Sequence, residues 1–189
     1  MYGDGRYLAH NPTWDAEHSG WKAARIVELC RDHAVEPSSC IEVGCGAGGI
    51  IAALGTEWPR CVLVGYDPSA DAITLARRHA RDNLTYRHGA PPSDERADLV
   101  VCADVFEHVD DCLGFLRGLR PHGGVFVFHI PLDMNLPALL FPSILLRTRE
   151  RVGHVHYFGV ETALATLRDA GYQVVDSRVT AGCVAFPSP

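Results

Sequence analysis

The chain has 189 residues, 47% of them apolar and 21% charged, with a formal net charge of -6. That length builds one domain with a substantial core and leaves no room for two ordinary ones. An acidic chain without a basic stripe argues against nucleic acid as a partner. No window offers the roughly 18 uncharged apolar residues of a membrane span, and Met1-Tyr2-Gly3-Asp4-Gly5-Arg6 lacks the basic-then-apolar pattern of a signal peptide.

Residues 1–18 read as irregular. Ser19 is placed to cap a helix over residues 20–33, in which Trp21, Ala24, Val27 and Cys30 recur every three residues. A first strand follows at residues 40–43. It breaks into Gly44-Cys45-Gly46-Ala47-Gly48-Gly49 and resumes as a helix from Ile50. Glycine is needed where backbone takes positive φ or lies close against another group. A helix starting at the same point aims free N–H groups at whatever lies there. Residues 61–66 form an unbroken apolar run, the mark of a strand buried on both faces. Asp67-Pro68-Ser69 closes it and opens a helix to about residue 80. A short outer strand at 84–87, a loop at 91–95, a buried strand at 97–103 and a helix at 111–119 come next. Gly123-Gly124 turns into a strand ending at Ile130. Residues 131–158 read as less regular, an insertion within one domain. A helix over 160–170 is stopped by Gly171, and residues 172–179 read as the last strand. The seven cysteines (Cys30, Cys40, Cys45, Cys61, Cys102, Cys112, Cys183) are scattered, without a C-x-x-C pair. They read as small hydrophobes in a reducing, cytoplasmic setting, with no structural zinc.

Strands alternating with helices predict an α/β fold with a doubly wound, mostly parallel sheet. Such sheets bind ligands beyond the carboxyl ends of their strands. That edge collects the glycine turn, Asp67, Gly89-Ala90, Asp104 and the residues after Ile130. By spacing alone Gly44, Gly46 and Gly49 satisfy G-x-G-x-x-G, with Asp67 about 20 residues on, so an NAD(P)-dependent oxidoreductase stays open. Glu42 before the first glycine, the long helical lead-in and the lack of a second domain weigh against it.

The segment Glu42-Val43-Gly44-Cys45-Gly46-Ala47-Gly48 resembles the first motif of the class I S-adenosylmethionine (SAM)-dependent methyltransferases. Asp67 matches the acid that ends their second strand. Residues 97–109 resemble their fourth-strand motif, and residues 116–124 the turn before strand five. Asn11-Pro12-Thr13-Trp14 and Gly153-His154-Val155-His156-Tyr157-Phe158 are similar to segments of bacterial small-molecule-type members. The resemblance implies a Rossmann-like methyltransferase fold, with residues 1–40 as an N-terminal lid and helix and residues 41–189 as the SAM-binding domain, single overall, with its insertion at about 131–158. The family's C-terminal antiparallel strand has no counterpart after Val179. An uncovered sheet edge makes a homodimer the expectation.

The resemblance also implies roles. Backbone of Gly44, Cys45, Gly46 and Gly49 approaches SAM, and Glu42 binds its amino group or fixes the turn. Asp67 accepts both ribose hydroxyls or caps the next helix, beside Pro68. Asp104 and Val105 border the adenine and the sulfonium. Gly89 and Ala90 offer only backbone to the adenine, because the acid common there in the family is missing. Lys22 or Trp14 meets the SAM carboxylate. The acceptor is a small molecule methylated at oxygen, and a hydroxyl acceptor needs a base near neutral pH. His108, His154 and His156 are the candidates, whereas His129, inside an apolar strand, reads as a core histidine. Asp104-x-x-Glu107-His108 also resembles the metal-ligating pattern of quinone-biosynthesis O-methyltransferases. Base, metal ligand and helix-packing roles stay open there, and no metal site is assigned. Residues 136–146 read as a lid, and Arg147, Arg149 and Arg151 point to phosphate or carboxylate on the acceptor. A catalytically silent SAM-binding module is the third reading.

Overall fold

A computed structural model describes residues 16–180. The motif at residues 11–14, including Trp14, and Cys183 lie outside the described residues.

Helix α1 spans Ser19–Asp32 and buries Lys22, Ala23, Ile26, Val27 and Cys30, the three-and-four spacing of one helical face. Ser19 is its first residue rather than its cap, and the N-cap position falls to His18. Then come β1 (Ser39–Val43), α2 (Gly49–Glu57), β2 (Val62–Asp67), α3 (Ala70–Ala76), β3 (Leu84–His88), β4 (Ala97–Ala103), α4 (Cys112–Leu119) and β5 (Gly123–His129). Two of these helix starts are capped by side chains. The Ser69 hydroxyl accepts from the Ala72 N–H at 3.3 Å, and the Asp111 carboxylate from the Gly114 N–H at 2.8 Å. Caps of this kind stabilise by about 1 kcal/mol.

The five strands form one parallel sheet in the order β3-β2-β1-β4-β5. Ile41 of the central strand registers with Val64 on β2 and Val100 on β4. Successive residues face opposite layers. Leu63, Leu99 and Val101 point to the layer that holds Ile26, Ile51 and Leu54, while Ile41, Val43, Tyr66 and Val100 point to the layer that holds Leu119. The central strands β1, β2 and β4 are covered on both faces, which is why they are nearly continuously apolar. Each fully buried large aliphatic side chain stabilises by about 1.5–3 kcal/mol. Cys30, Cys40, Cys45, Cys61, Cys102 and Cys112 are all buried.

Two expectations need correction. Residues 131–158 are more regular than the sequence reads. They hold α5 (Leu136–Leu140), started by the Asn135 side chain accepting from the Ala138 N–H at 3.1 Å, and α6 (Ser143–Val152), ended by Gly153 at φ 84°. Pro137 and Pro142 mask these helices in sequence, yet proline is tolerated at a helix start, where its missing N–H has no partner to lose. After α7 (Val160–Asp169), Gly171 takes φ 93° as the expected stop.

The second correction is the last strand. Residues 172–180 pair in no ladder. Their alternation survives, with Tyr172, Val174 and Asp176 half-buried. It reports side-chain contacts instead. Tyr172 lies edge-on to Phe126 and Phe128, ring centres 5.0 Å apart in both cases. Further on, Asp176 meets His33 at 3.0 Å and Arg178 meets Asp32 at 2.8 Å. A period of two specifies an extended segment, but a strand also requires a neighbour in register. No described helix is long and apolar enough to cross a membrane.

Candidate active site

The chain runs β1-β2-β3 to one side of β1 and then returns to lay β4 and β5 on the other. The carboxyl ends of β1 and β4 therefore border a crevice, the usual ligand position in such sheets. A cleft of about 970 Å³ opens there. It is lined by the glycine turn, Asp67, Pro68, Asp104 and Val105, together with further residues that follow β4 and β5.

The glycine turn is set by local sterics. Gly44 has φ 77°, and a Cβ there would stand 2.3 Å from Cγ2 of Val105. Gly48 has φ 81°, and a Cβ there would meet the Tyr86 ring at 2.5 Å. Positive φ and close approach together admit only glycine. The Gly44 and Cys45 N–H groups both donate to the Tyr66 carbonyl, at 2.8 and 2.9 Å. Glu42 is 1% exposed, and its Oε2 accepts from the Ile51 N–H at 3.1 Å, in the first turn of α2. Burial pushes its carboxyl up to about 8, against the pull of the Ile51 N–H. Glu42 thus fixes the turn and lines the cleft as well.

Asp67 accepts from the Gly46 N–H at Oδ2 and from the Ser69 N–H at Oδ1, both at 2.8 Å. Burial raises its carboxyl and these two donors lower it. A carboxylate has about four lone-pair sites, so each oxygen keeps acceptor capacity. The capping of α3 belongs to Ser69, not to Asp67.

Asp104 follows β4 with φ 54°, left-handed for a residue with a side chain. Its N–H donates to the His129 carbonyl at 3.0 Å. Such conformations persist where surrounding contacts hold them, and they cluster at functional sites. Lys22 Nζ donates to its Oδ2 at 2.6 Å, and His129 Nδ1 lies 2.7 Å from its Oδ1. Burial acts to raise the Asp104 carboxyl, but His129 and Lys22 together bring it down to about 2. His129 is therefore no core histidine. It ends β5 opposite Ala103, lines the cleft and holds Asp104. Gly89 and Ala90 lie at the end of β3, where the Gly89 N–H donates to the Asp67 carbonyl at 2.9 Å, but neither lines the cleft.

Of the three histidines singled out as bases, the structure brings two together. His108 ends a 3₁₀ turn over Phe106–His108, and its ring centre lies 4.7 Å from that of His154, edge to face. Both line the cleft. Burial, and then the nearby His154 charge, pushes the His108 imidazole down to about 4, against a hydrogen bond with the Gly153 backbone. His154 is 8% exposed, and its Nδ1 lies 2.5 Å from Oδ2 of Asp133. His156 turns away, with Nε2 2.9 Å from the Val109 carbonyl. The reason is local. The Val155 and His156 N–H groups both donate to the Glu107 carbonyl, at 2.8 and 3.0 Å. That bend prevents the extended run in which residues 154 and 156 would share a face. Asp133 escaped the sequence reading, and His129 reads there as a core residue. Asp133 carries no motif, whereas His129, the last residue of a strand, could have been found from its place at the sheet edge.

Glu107, His108 and His154 offer ligand atoms all within 4.8 Å of one another. Glu107 is wholly buried, and neither carboxylate oxygen has a hydrogen-bond partner among the described residues. Burial raises its carboxyl well above the ordinary range. Once deprotonated, this oxygen-and-nitrogen set fits a small divalent cation.

The model of the methyltransferase domain family matches residues 16–177. The chain belongs to that family. It is 28% identical over 111 residues to a trans-aconitate 2-methyltransferase of Afipia carboxidovorans, covering 55% of this chain and 43% of the relative. It is 33% identical over 149 residues to a ubiquinone biosynthesis O-methyltransferase of Aliivibrio fischeri, covering 69% and 62%. The solved plantazolicin methyltransferase BpumL, in complex with a monoazolic desmethylPZN analog and SAH, superposes with a TM-score of 0.51 at 14% identity, over 87% of this chain and 60% of that one. This last likeness shows the fold. The methyltransferase domain chain spans about half the length of the curated relatives it matches.

Proposed function

We propose that this methyltransferase domain transfers the methyl group of SAM to an oxygen of a small-molecule acceptor. One observation carries the reading: the strand-end set of Glu42, Asp67 and Asp104 and the Asp133–His154 pair line a single cleft. When bound, SAM supplies an electrophilic methyl group and a good leaving group. Asp67 holds the ribose hydroxyls with the acceptor capacity its oxygens retain. The glycine turn supplies close backbone approach, and Glu42 and the Asp104–Lys22 pair supply the polar partners for the amino-acid portion. His154 takes the acceptor's proton while Asp133 holds its imidazole in one tautomer and stabilises the charge that develops, the division of labour of a histidine–carboxylate pair. Two relatives bear the names of trans-aconitate and ubiquinone-pathway methyltransferases, in keeping with a small acceptor methylated at oxygen. Calorimetry with SAH tests the cofactor assignment, and a titration with NADH tests the oxidoreductase alternative. Binding of NADH and not of SAH would overturn the reading.

The Glu107 oxygens, buried without a hydrogen bond among the described residues, favour a second reading, in which Glu107, His108 and His154 hold a divalent cation that orients the acceptor oxygen. A homodimer belongs to the same proposal. The outer edge of β5 pairs with no described strand, and Leu136, Leu139, Leu140 and Phe141 stand exposed on and beside α5. Sedimentation over a concentration series tests it.

A further inference from the structure

Five residues of α6 line the cleft: Ile144, Arg147, Thr148, Arg151 and Val152. Their spacing is three, four, seven and eight from the first, one complete helical face. The helix is tethered at its back by the Tyr157 hydroxyl, which donates to the Leu145 carbonyl at 3.0 Å. Arg147 and Arg151 stand four apart on the cleft face, and like charges at that spacing repel. Neither makes an ion pair or hydrogen bond among the described residues.

The acids of the cleft are committed elsewhere. Asp104 is held by Lys22 and His129, and Asp133 by His154. Asp67 accepts two backbone N–H groups, and burial drives Glu42 toward its neutral form. The two guanidiniums are the cationic side chains of the cleft that have no acid paired with them among the described residues.

We infer that the acceptor is an organic acid whose carboxylate is held between Arg147 and Arg151 while its hydroxyl lies at His154. Guanidinium suits a carboxylate because its planar fork matches two oxygens. Arg151 sits in the last turn of α6, at the helix end whose dipole is negative. That position favours a singly charged carboxylate over a doubly charged phosphate. Ile144 and Val152 on the same face, with Leu132 also lining the cleft, supply apolar surface for the body of the molecule.

This inference rests on the methyltransferase reading, and SAH binding measured first keeps the two apart. The SAH-loaded protein is titrated by calorimetry with protocatechuate, with catechol and with phenyl phosphate, and turnover with SAM is followed for protocatechuate and catechol. The acid is expected to bind at least tenfold tighter than catechol, with phenyl phosphate weaker than the acid. Arg147→Gln and Arg151→Gln are expected to remove that preference by raising KM or Kd about tenfold, leaving SAH affinity and melting temperature unchanged. Equal binding of catechol and protocatechuate, tighter binding of the phosphate ester, or a preference that survives both substitutions would overturn the assignment even if SAH binds.

Discussion

Asp133 Oδ2 and His154 Nδ1 lie 2.5 Å apart across 21 residues of chain, at the wall of the same cleft that the glycine turn borders. The pair directs the other imidazole nitrogen away from Asp133 and fixes which of the two can take a proton. If it acts as the base, Asp133→Asn lowers kcat by at least about tenfold and His154→Ala by about 10²-fold or more, with SAH affinity unchanged. The double variant is expected to be no worse than His154→Ala, since Asp133 acts through the histidine. Additive losses in a kinetic cycle would dissociate the two.

Asp67 is the residue on which cofactor affinity should depend most simply. Removal of hydrogen bonds to a charged group costs about 1.5–3 kcal/mol. Asp67→Ala should weaken SAH binding by that amount in calorimetry. Because the carboxylate also accepts from Gly46 and Ser69, the variant should melt lower too. Asp67→Asn serves as the control that keeps an acceptor in place.

Burial holds the Glu42 carboxyl near 8, above its ordinary value. Between about pH 4.5 and 8 the native state keeps a proton that the unfolded chain has lost, so this group's contribution is fully present at low pH and is lost as pH rises toward 8. Glu42→Gln fixes the neutral form. Its melting temperature is expected to vary less with pH across that window and to exceed the parent's at pH 8. An unchanged slope would mean that Glu42 ionises normally.

Chelation separates base catalysis from cation assistance. With the Asp133–His154 pair as base, dialysis against EDTA leaves turnover within about twofold, far inside the effect of losing a base. Loss of activity restored by magnesium, manganese or zinc, and abolished in Glu107→Gln, would assign the cluster to a cation instead.

The parallel sheet was legible in the chain because buried strands are written as apolar runs and their turns as glycine and acid. Residues 97–103 are a strand in the structure as in the sequence reading, and the Gly44–Gly49 turn falls at the crevice edge. The positive φ at Gly44 and Gly48 comes from the tightness of the turn itself, although Val105 and Tyr86, distant in sequence, also leave no room there for a Cβ. Residues 172–180 mark the opposite case. Their alternation is local, but pairing needs a partner strand, and no described strand pairs with them.

What the sequence determined by itself was the sheet, its glycine turn and the acids at the strand ends, because each is specified by periodicity or backbone sterics over a few residues. What only the tertiary structure decided was which side chains meet. His129 joins Asp104 from 25 residues away, Asp133 joins His154 from 21, and Lys22 reaches Asp104 across 82. Such contacts follow from the register of parallel strands and from how helices cross over them, and neither is encoded in the spacing of residues along one segment.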